Sequence, residues 1–286
     1  MAGGTGKNGT GTEPARPARP NYSEWYLTPQ GSVALAAQQA LLRGLIACWP
    51  RRGYRLLQIG CGAGIFLEIL WEAGFDVSGQ EPDQELARRA ASRLGRRAEI
   101  SLGSQEHLPF DDQSFDYVVC LNNLEFAADP WAVLREALRL ASRGLLLSFP
   151  NAASLRGFGG LFRRGSAGDQ GSGPAGLGRG KVLAPWKVWN FIRKEGPPSR
   201  LTWGSTLLGP AFSWRDNALG RKLNCASLPL PLGACAMLRL DLHPACAGTP
   251  LLLNGKKKAG ANTALANKSL LTRSGRASGP RRDAAR

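Results

Sequence analysis

Several residue types are scarce in this chain of 286 residues, and each scarcity argues against a class of site. The chain has two histidines and six scattered cysteines, none of them in a Cys-x-x-Cys pair. A protein of this length does not need disulfides to complete its core, and the cysteine spacing does not fit a zinc site. We therefore expect no disulfide framework and no bound metal.

Long apolar runs are also lacking. The chain opens with small and polar residues, "MAGGTGKNGTGTEPARPARP", and not with a cationic start followed by an apolar stretch. No window approaches the roughly 18 apolar residues of a membrane helix. We therefore expect a cytoplasmic protein with one core and no membrane span.

Acidic residues are outnumbered, and the formal net charge is +16. Residues 254–286 supply half of this excess, with nine basic residues against one acid. Because this tail and residues 1–20 are too polar to offset the entropy of ordering, we predict disorder on both sides of a domain at 21–253. The basic tail is either solvated or an electrostatic anchor to RNA or lipid, and both interpretations stay open.

Between these ends, apolar runs alternate with helical patterns. This alternation is typical of an α/β fold with a doubly wound, mostly parallel sheet. Seven strands are predicted, at 54–59, 76–80, 98–103, 115–121, 144–149, 200–208 and 235–243, and helices are predicted at about 63–73, 83–94, 129–141 and 185–196.

Three alternate glycines follow the first predicted strand, in the stretch "LQIGCGAGIF" at 57–66. Gly60, Gly62 and Gly64 permit unusual dihedral angles and place no Cβ between the backbone and a ligand. A dinucleotide loop has the spacing Gly-x-Gly-x-x-Gly, whereas here the third glycine comes one place early. The loop therefore predicts a ligand that lies against bare backbone, and its spacing argues against NAD and FAD.

The Gly-x-Gly-x-Gly spacing resembles the first motif of the Rossmann-like S-adenosylmethionine-dependent methyltransferases. The segments "VSGQEPD", "SQEHLPFDDQSFDYVVCLNNLEF" and "ADPWAVLREALRLASRGLLLSFPN" follow in that family's order, so the resemblance covers about residues 54–151. Upstream, "NYSEWYLTPQG" resembles the N-terminal lid segment of the small-molecule group near the quinone-biosynthesis and type-11 enzymes. The resemblance implies methyl transfer from S-adenosylmethionine to a small-molecule acceptor.

The resemblance also implies which residues bind the cofactor. Glu81 ends the second strand, where the family keeps an acid whose two oxygens match the two ribose hydroxyls. Gln105 follows the third strand and would line the adenine, although Ser104 replaces the family's usual carboxylate. Gln58 replaces an acid that attracts the methionine ammonium, and it offers a neutral acceptor instead. The implied cofactor-binding residues are Gln58, Gly60, Cys61, Gly62, Gly64, Glu81, Pro82, Gln105, Glu106 and Asn122.

No catalytic residue is identified, because methyl transfer needs mainly that the nucleophile and the activated methyl be held close and collinear. Relatives frequently have His at the position of Phe126, which leaves His107 and Glu125 as local candidates for a base. Candidate substrate contacts are mostly aromatic, and packing in the core explains the aromatic ones equally well. These candidates are Tyr22, Trp25, Tyr26, Asn123 and Trp186.

Two other functions stay open. A nucleic-acid methyltransferase would use the basic tail, although the Asn/Asp-Pro-Pro-aromatic motif of amino-directed base methylators is absent where "NNLEF" stands. Salt-sensitive retention on RNA would favour this function. A cofactor-binding protein without catalysis would accommodate the replacements at Gln58, Ser104 and Phe126, and binding without turnover across an acceptor panel would favour it. The sequence does not name the acceptor or the oligomeric state.

Overall fold

The protein is described from a computed structural model. The structure describes residues 22–152, 154, 183–197, 199–209, 213–215, 217, 218, 220, 224, 227–230 and 232–242. The two segments for which disorder was predicted, 1–20 and 254–286, lie outside the described residues.

Helices and strands alternate along the described chain. The helices are α1 (Tyr22–Trp25), α2 (Pro29–Leu45), α3 (Ile65–Glu72), α4 (Gln84–Leu94), α5 (Pro130–Leu140) and α6 (Pro185–Glu195), with short 3-10 turns at Ile46–Cys48, Gly95–Arg97 and Leu124–Phe126. The strands are β1 (Arg55–Ile59), β2 (Asp76–Glu81), β3 (Ala98–Leu102), β4 (Phe115–Cys120), β5 (Ala141–Pro150), β6 (Arg200–Thr206) and β7 (Cys235–Asp241).

The strands form one seven-stranded sheet in the order β3-β2-β1-β4-β5-β7-β6. The strands β1 to β5 pair in parallel, whereas β7 runs antiparallel to both β5 and β6. The predicted α/β fold with a mostly parallel sheet is confirmed. The strand order reverses between β1 and β4, and in open α/β sheets such a reversal opens a crevice at the carboxyl ends of the strands, where ligands bind.

Burial on both faces explains why the central strands are apolar without alternation. Leu56 and Leu57 of β1, Val118 of β4, and Leu145 and Leu146 of β5 are completely buried. Adjacent residues in a strand point to opposite faces of the sheet, so both faces of these strands are covered.

The longest helix of the described residues, α2, was not predicted. Thr28 caps its first turn by accepting a hydrogen bond from the Gly31 amide, and Pro29 occupies the first position. The 20 residues Pro29–Cys48 are long and apolar enough to cross a membrane by length and composition, which corrects the expectation that no such window exists. Half of the apolar window is buried inside the protein, and the helix contacts β6 and β7, as a core helix does.

A buried polar network joins the end of α2 to β7. Arg239 and Asp241 form an ion pair with an N···O distance of 2.9 Å, and both side chains are buried. Arg239 also donates a hydrogen bond to the Leu45 carbonyl at 2.7 Å, and the Trp49 indole N–H donates to Asp241 at 3.1 Å. Because a buried charge is costly when it loses its partner, these contacts specify how α2 seats on the sheet.

Candidate functional site

The glycine loop between β1 and α3 lies at the point where the strand order reverses. Gly60, Gly62 and Gly64 have φ angles of 67°, 57° and 80°, in the left-handed region that favours glycine. A Cβ on Gly60 would stand 2.2 Å from the Asn123 side chain, whereas a Cβ on Gly62 would meet nothing within 4 Å. Gly60 therefore permits tight packing beneath the loop, and Gly62 presents bare backbone to open space.

The end of β2 holds this loop in place. The Gly62 amide donates to one carboxylate oxygen of Glu81 at 2.7 Å, and the Asp83 amide donates to the other at 3.1 Å. The Cys61 amide donates to the Gln80 carbonyl at 2.9 Å. Glu81 is completely buried. Its carboxylate therefore shapes the glycine loop, a role that the sequence did not reveal.

A cavity opens above the loop. Its described lining combines backbone, small side chains and aromatic rings, with no charged side chain among them. The lining residues are Tyr22, Ser23, Tyr26, Gln58, Gly60, Cys61, Gly62, Ala63, Ile65, Phe66, Leu86, Leu121, Asn122 and Phe126.

Gln58 of β1 contributes a buried polar group to the cavity wall. The residue is 1% exposed, and its Oε1 atom has no hydrogen-bond partner. A buried acceptor without a donor is rare in folded proteins, because it costs about 1 to 3 kcal/mol. A ligand with a hydrogen-bond donor could therefore supply the partner that Gln58 Oε1 lacks.

Three aromatic rings from two segments form the roof of the cavity. Tyr22 stacks on Tyr26 with ring centroids 5.9 Å apart, and it meets Phe126 edge-on at 5.7 Å. The Tyr22 hydroxyl donates to the buried carboxylate of Glu125 at 3.0 Å. Burial raises the pKa of both tyrosines well above the usual 10, and the charge of Glu125 adds to the effect. Both hydroxyls therefore stay protonated at neutral pH.

Asn122, just after β4, both lines the cavity and supports its wall. Its backbone has a φ of 50°, an uncommon angle that asparagine tolerates better than most residues. Its side-chain amide donates to the Tyr26 hydroxyl at 3.0 Å and to Gln38 Oε1 at 2.8 Å, and it accepts from Ser148 at 3.1 Å. The Asn122 side chain thus connects the roof of the cavity to the sheet.

Some of the predicted site residues lie outside the cavity lining. Asn123 is buried beneath the glycine loop and donates to the Ile59 carbonyl at 3.2 Å. Gln105 is 2% exposed, and neither polar atom of its amide has a partner. Trp186 is 57% exposed on α6. The remaining predicted residues outside the lining are Trp25, Gly64, Glu81, Pro82 and Glu106.

Gln38, Gln80 and Ser148 are part of the site and were missed in the sequence. Gln80 accepts from the Gly60 amide at 3.4 Å and donates to the Gly103 carbonyl at 2.6 Å, so it links the loop to the end of β3. Gln38 and Ser148 hold Asn122 from two different elements. A polar residue next to Glu81 was the one local indication for Gln80, whereas the other two need tertiary contacts to be recognised.

Known sequences match the segment that carries the glycine loop. Residues 57–149 match the family model described as a methyltransferase domain. A ubiquinone biosynthesis O-methyltransferase of Aliivibrio fischeri is 30% identical over 96 residues, 32% of this chain and 41% of that protein. An uncharacterized methyltransferase of Mycobacterium tuberculosis is 30% identical over 159 residues, 55% of this chain and 58% of that protein. The chain thus spans about half the length of these curated relatives.

Solved structures resemble the fold over a longer part of the chain. A SAM-dependent methyltransferase from Thermotoga maritima superposes with a TM-score of 0.55 and 20% identity, covering 78% of this chain and 95% of its own. Magnesium protoporphyrin IX methyltransferase from Synechocystis, solved with bound SAH, superposes with a TM-score of 0.51 and 16% identity, covering 77% and 92%. The likeness at these identities establishes a shared fold.

Proposed function

We propose that this chain is a Rossmann-like S-adenosylmethionine-dependent methyltransferase, which binds S-adenosylmethionine and methylates a small-molecule acceptor. The observation that carries the proposal is the glycine loop at the strand reversal. Its bare backbone at Gly62 borders a cavity into which Gln58 contributes an unpartnered acceptor. The methyltransferase family match and the neighbour solved with bound SAH support the choice of cofactor.

The residues around the loop suit the parts of this cofactor. Glu81 stands at the end of β2 and can offer further lone pairs to the ribose hydroxyls, because each carboxylate oxygen accepts more than one hydrogen bond. Gln105, after β3, supplies a buried amide for the adenine. Gln58 supplies an acceptor for the methionine ammonium between β1 and β4. Pro82 and the backbone of Glu106 complete the adenosine side, and Cys61 and Asn122 line the cavity.

Methyl transfer requires that the acceptor be aligned with the methyl group and that water be excluded from the cavity. The cofactor supplies an activated methyl on its sulfonium. Tyr22, Tyr26 and Phe126 cover the cavity with flat rings, which holds a bound acceptor in place and keeps solvent out. The two tyrosine hydroxyls are already engaged by Glu125, Gln38 and Asn122, so the roof has a defined position.

Two features support a small-molecule acceptor in the cytoplasm. The roof is aromatic, and the cavity is lined mostly by apolar groups with a few polar ones, as is usual for small-molecule sites. Cys120 and Cys235 carry free thiols, which is typical of a reducing compartment. Trp25, Asn123 and Trp186 lie outside the cavity lining, so Tyr22 and Tyr26 are the stronger candidates for contact with the acceptor.

Titration calorimetry with S-adenosylmethionine, S-adenosylhomocysteine, NAD and FAD tests the cofactor assignment. We expect the first two to bind and the last two not to bind. Replacing Gly62 with Ala should abolish binding, because the new side chain would project into the open space above the loop. Gly53→Ala is the matched control, since Gly53 also has a positive φ, of 76°, and open surroundings but lies outside the cavity lining.

Tight binding of NAD would overturn the assignment, and so would equal affinities of the Gly62 and Gly53 variants for S-adenosylhomocysteine. The acceptor class is tested separately with radiolabelled methyl groups. Label should pass to the small-molecule fraction of a cell extract and not to its RNA. Label in the RNA fraction would replace the small-molecule proposal with the nucleic-acid one.

A further inference from the structure

A buried carboxylate lies directly behind the roof of an otherwise uncharged cavity. Glu125 is 3% exposed and accepts a hydrogen bond from the hydroxyl of Tyr22, whose ring lines the cavity. The next residue, Phe126, lines the cavity as well. The Glu125 carboxylate is therefore joined by one hydrogen bond to a ring that lines the cavity.

A second buried carboxylate, that of Glu81, lies on the other side of β1. Glu81 ends β2 and accepts from the Gly62 and Asp83 amides, whereas Glu125 follows β4. The strands β2 and β4 lie on either side of β1. If the ribose binds beside Glu81, the methionine portion of the cofactor falls on the β1 and β4 side, near Glu125.

We propose that Glu125 is the counter-charge for the sulfonium of bound S-adenosylmethionine, and that it makes the cavity prefer this cation to the uncharged product S-adenosylhomocysteine. This inference rests on the proposed function. Because the described lining is uncharged and most of it is apolar, the field of a nearby carboxylate is screened far less than it would be in water. Gln58 carries no charge, so we assign the preference for the cation to Glu125.

The groups packed around Glu125 are consistent with this role. Its charge acts on three titratable groups: Tyr22, Tyr26 and Cys235. Burial raises the pKa of all three groups, and that of the Cys235 thiol reaches about 12, so they are uncharged at neutral pH. Tyr22 is a positioning residue, because its hydroxyl fixes the carboxylate behind the roof.

This arrangement has a consequence for turnover. Methyl transfer converts the sulfonium into a neutral thioether, so the attraction to Glu125 ends when the chemistry is complete. The protein would therefore hold the methyl donor firmly and release the spent cofactor more readily. Because Glu125 attracts the sulfonium of the methyl donor and not the neutral product, inhibition by S-adenosylhomocysteine is limited.

The test compares three ligands by calorimetry: S-adenosylmethionine, S-adenosylhomocysteine and sinefungin, which carries an amine in place of the methylated sulfur. Glu125→Gln removes the charge and keeps an acceptor for Tyr22. Tyr22→Phe removes the hydrogen bond and keeps both the charge and the ring. Glu99→Gln is the control for charge, because Glu99 is exposed on β3.

Glu125→Gln should weaken S-adenosylmethionine and sinefungin roughly tenfold, equivalent to about 1.4 kcal/mol, and change S-adenosylhomocysteine by less than about twofold. Tyr22→Phe should weaken the three ligands together, and Glu99→Gln should change none of them. Equal losses for all three ligands in Glu125→Gln, or no loss, would refute the counter-charge and leave a structural role.

The wild-type protein gives an independent reading if Glu125→Gln does not fold. It should bind S-adenosylmethionine and sinefungin at least about fivefold more tightly than S-adenosylhomocysteine. Equal wild-type affinities would overturn the inference while the proposed function stands. Failure of all three ligands to bind would overturn the proposed function itself.

Discussion

Replacing Glu81 with Ala is the most informative change in the cofactor site, because the carboxylate has a structural role that is visible and a ligand role that is proposed. Its loss removes the acceptors of the Gly62 and Asp83 amides. A buried donor left unsatisfied costs about 1 to 3 kcal/mol, so the two together should lower the free energy of unfolding by about 2 to 6 kcal/mol. Loss of a charge-assisted contact to the ribose should weaken cofactor binding by roughly tenfold to a hundredfold.

The two roles are separated by comparing S-adenosylhomocysteine with its 2′-deoxy analogue. The wild type should prefer the parent compound by about tenfold, and Glu81→Ala should bind both compounds equally. Gln80→Leu is the control for distortion of the loop, since Gln80 contacts Gly60 and Gly103 and leaves Glu81 in place. The control should lose affinity for both compounds and keep the preference. A preference that survives in Glu81→Ala would refute the ribose contact, even if affinity had fallen.

Two further changes test the electrostatics of the interior. Gln58→Glu should tighten S-adenosylmethionine binding modestly, because it places a carboxylate where Oε1 has no partner; circular dichroism must first show an intact fold, since a buried charge can destabilise it. Unchanged or weaker binding by a folded variant would contradict the ammonium contact. Burial raises the pKa of the Cys120 and Cys235 thiols to about 12, so at pH 8 both should react with Ellman's reagent only on unfolding. Because these thiols ionise near 9 in the unfolded chain, their contribution to stability is present below pH 9 and is lost as pH rises toward 12. Labelling of either thiol in the native protein would disprove the burial argument.

The core of the fold was predictable because its pattern is local. Each of the seven predicted strands overlaps an observed one, and the caps that begin the helices are visible in the chain, with Asp83 before α4 and Asp129 before α5. The helix α2 was missed although Val33, Ala37, Leu41 and Leu45 follow one helical face. The resemblance to a lid covers only the segment "NYSEWYLTPQG" and does not extend over this helical face.

The site was predictable only in part, because its residues act through tertiary contacts. The glycine spacing identified the loop, and Gln58 was singled out as a neutral acceptor. No sequence pattern shows that Asn123 fills the space beside Gly60, or that Glu81 spends both oxygens on backbone amides. The pairing of Tyr22 with Glu125 spans 103 positions and depends on how α1 meets the end of β4.

The polar network around Arg239 joins residues that are synthesised early to residues that are synthesised late, so this part of the fold can assemble only when the late residues have emerged. Leu45 and Trp49 leave the ribosome long before their partners, which lie 194 and 192 positions later. Until β7 emerges, the sheet lacks the strand that joins β5 to β6, and the α2 region lacks the charges that anchor it. The end of α2 is therefore among the last parts of the domain to become rigid. A nascent or truncated chain that stops short of residue 235 would carry the whole glycine loop and still lack the buried ion pair that anchors α2.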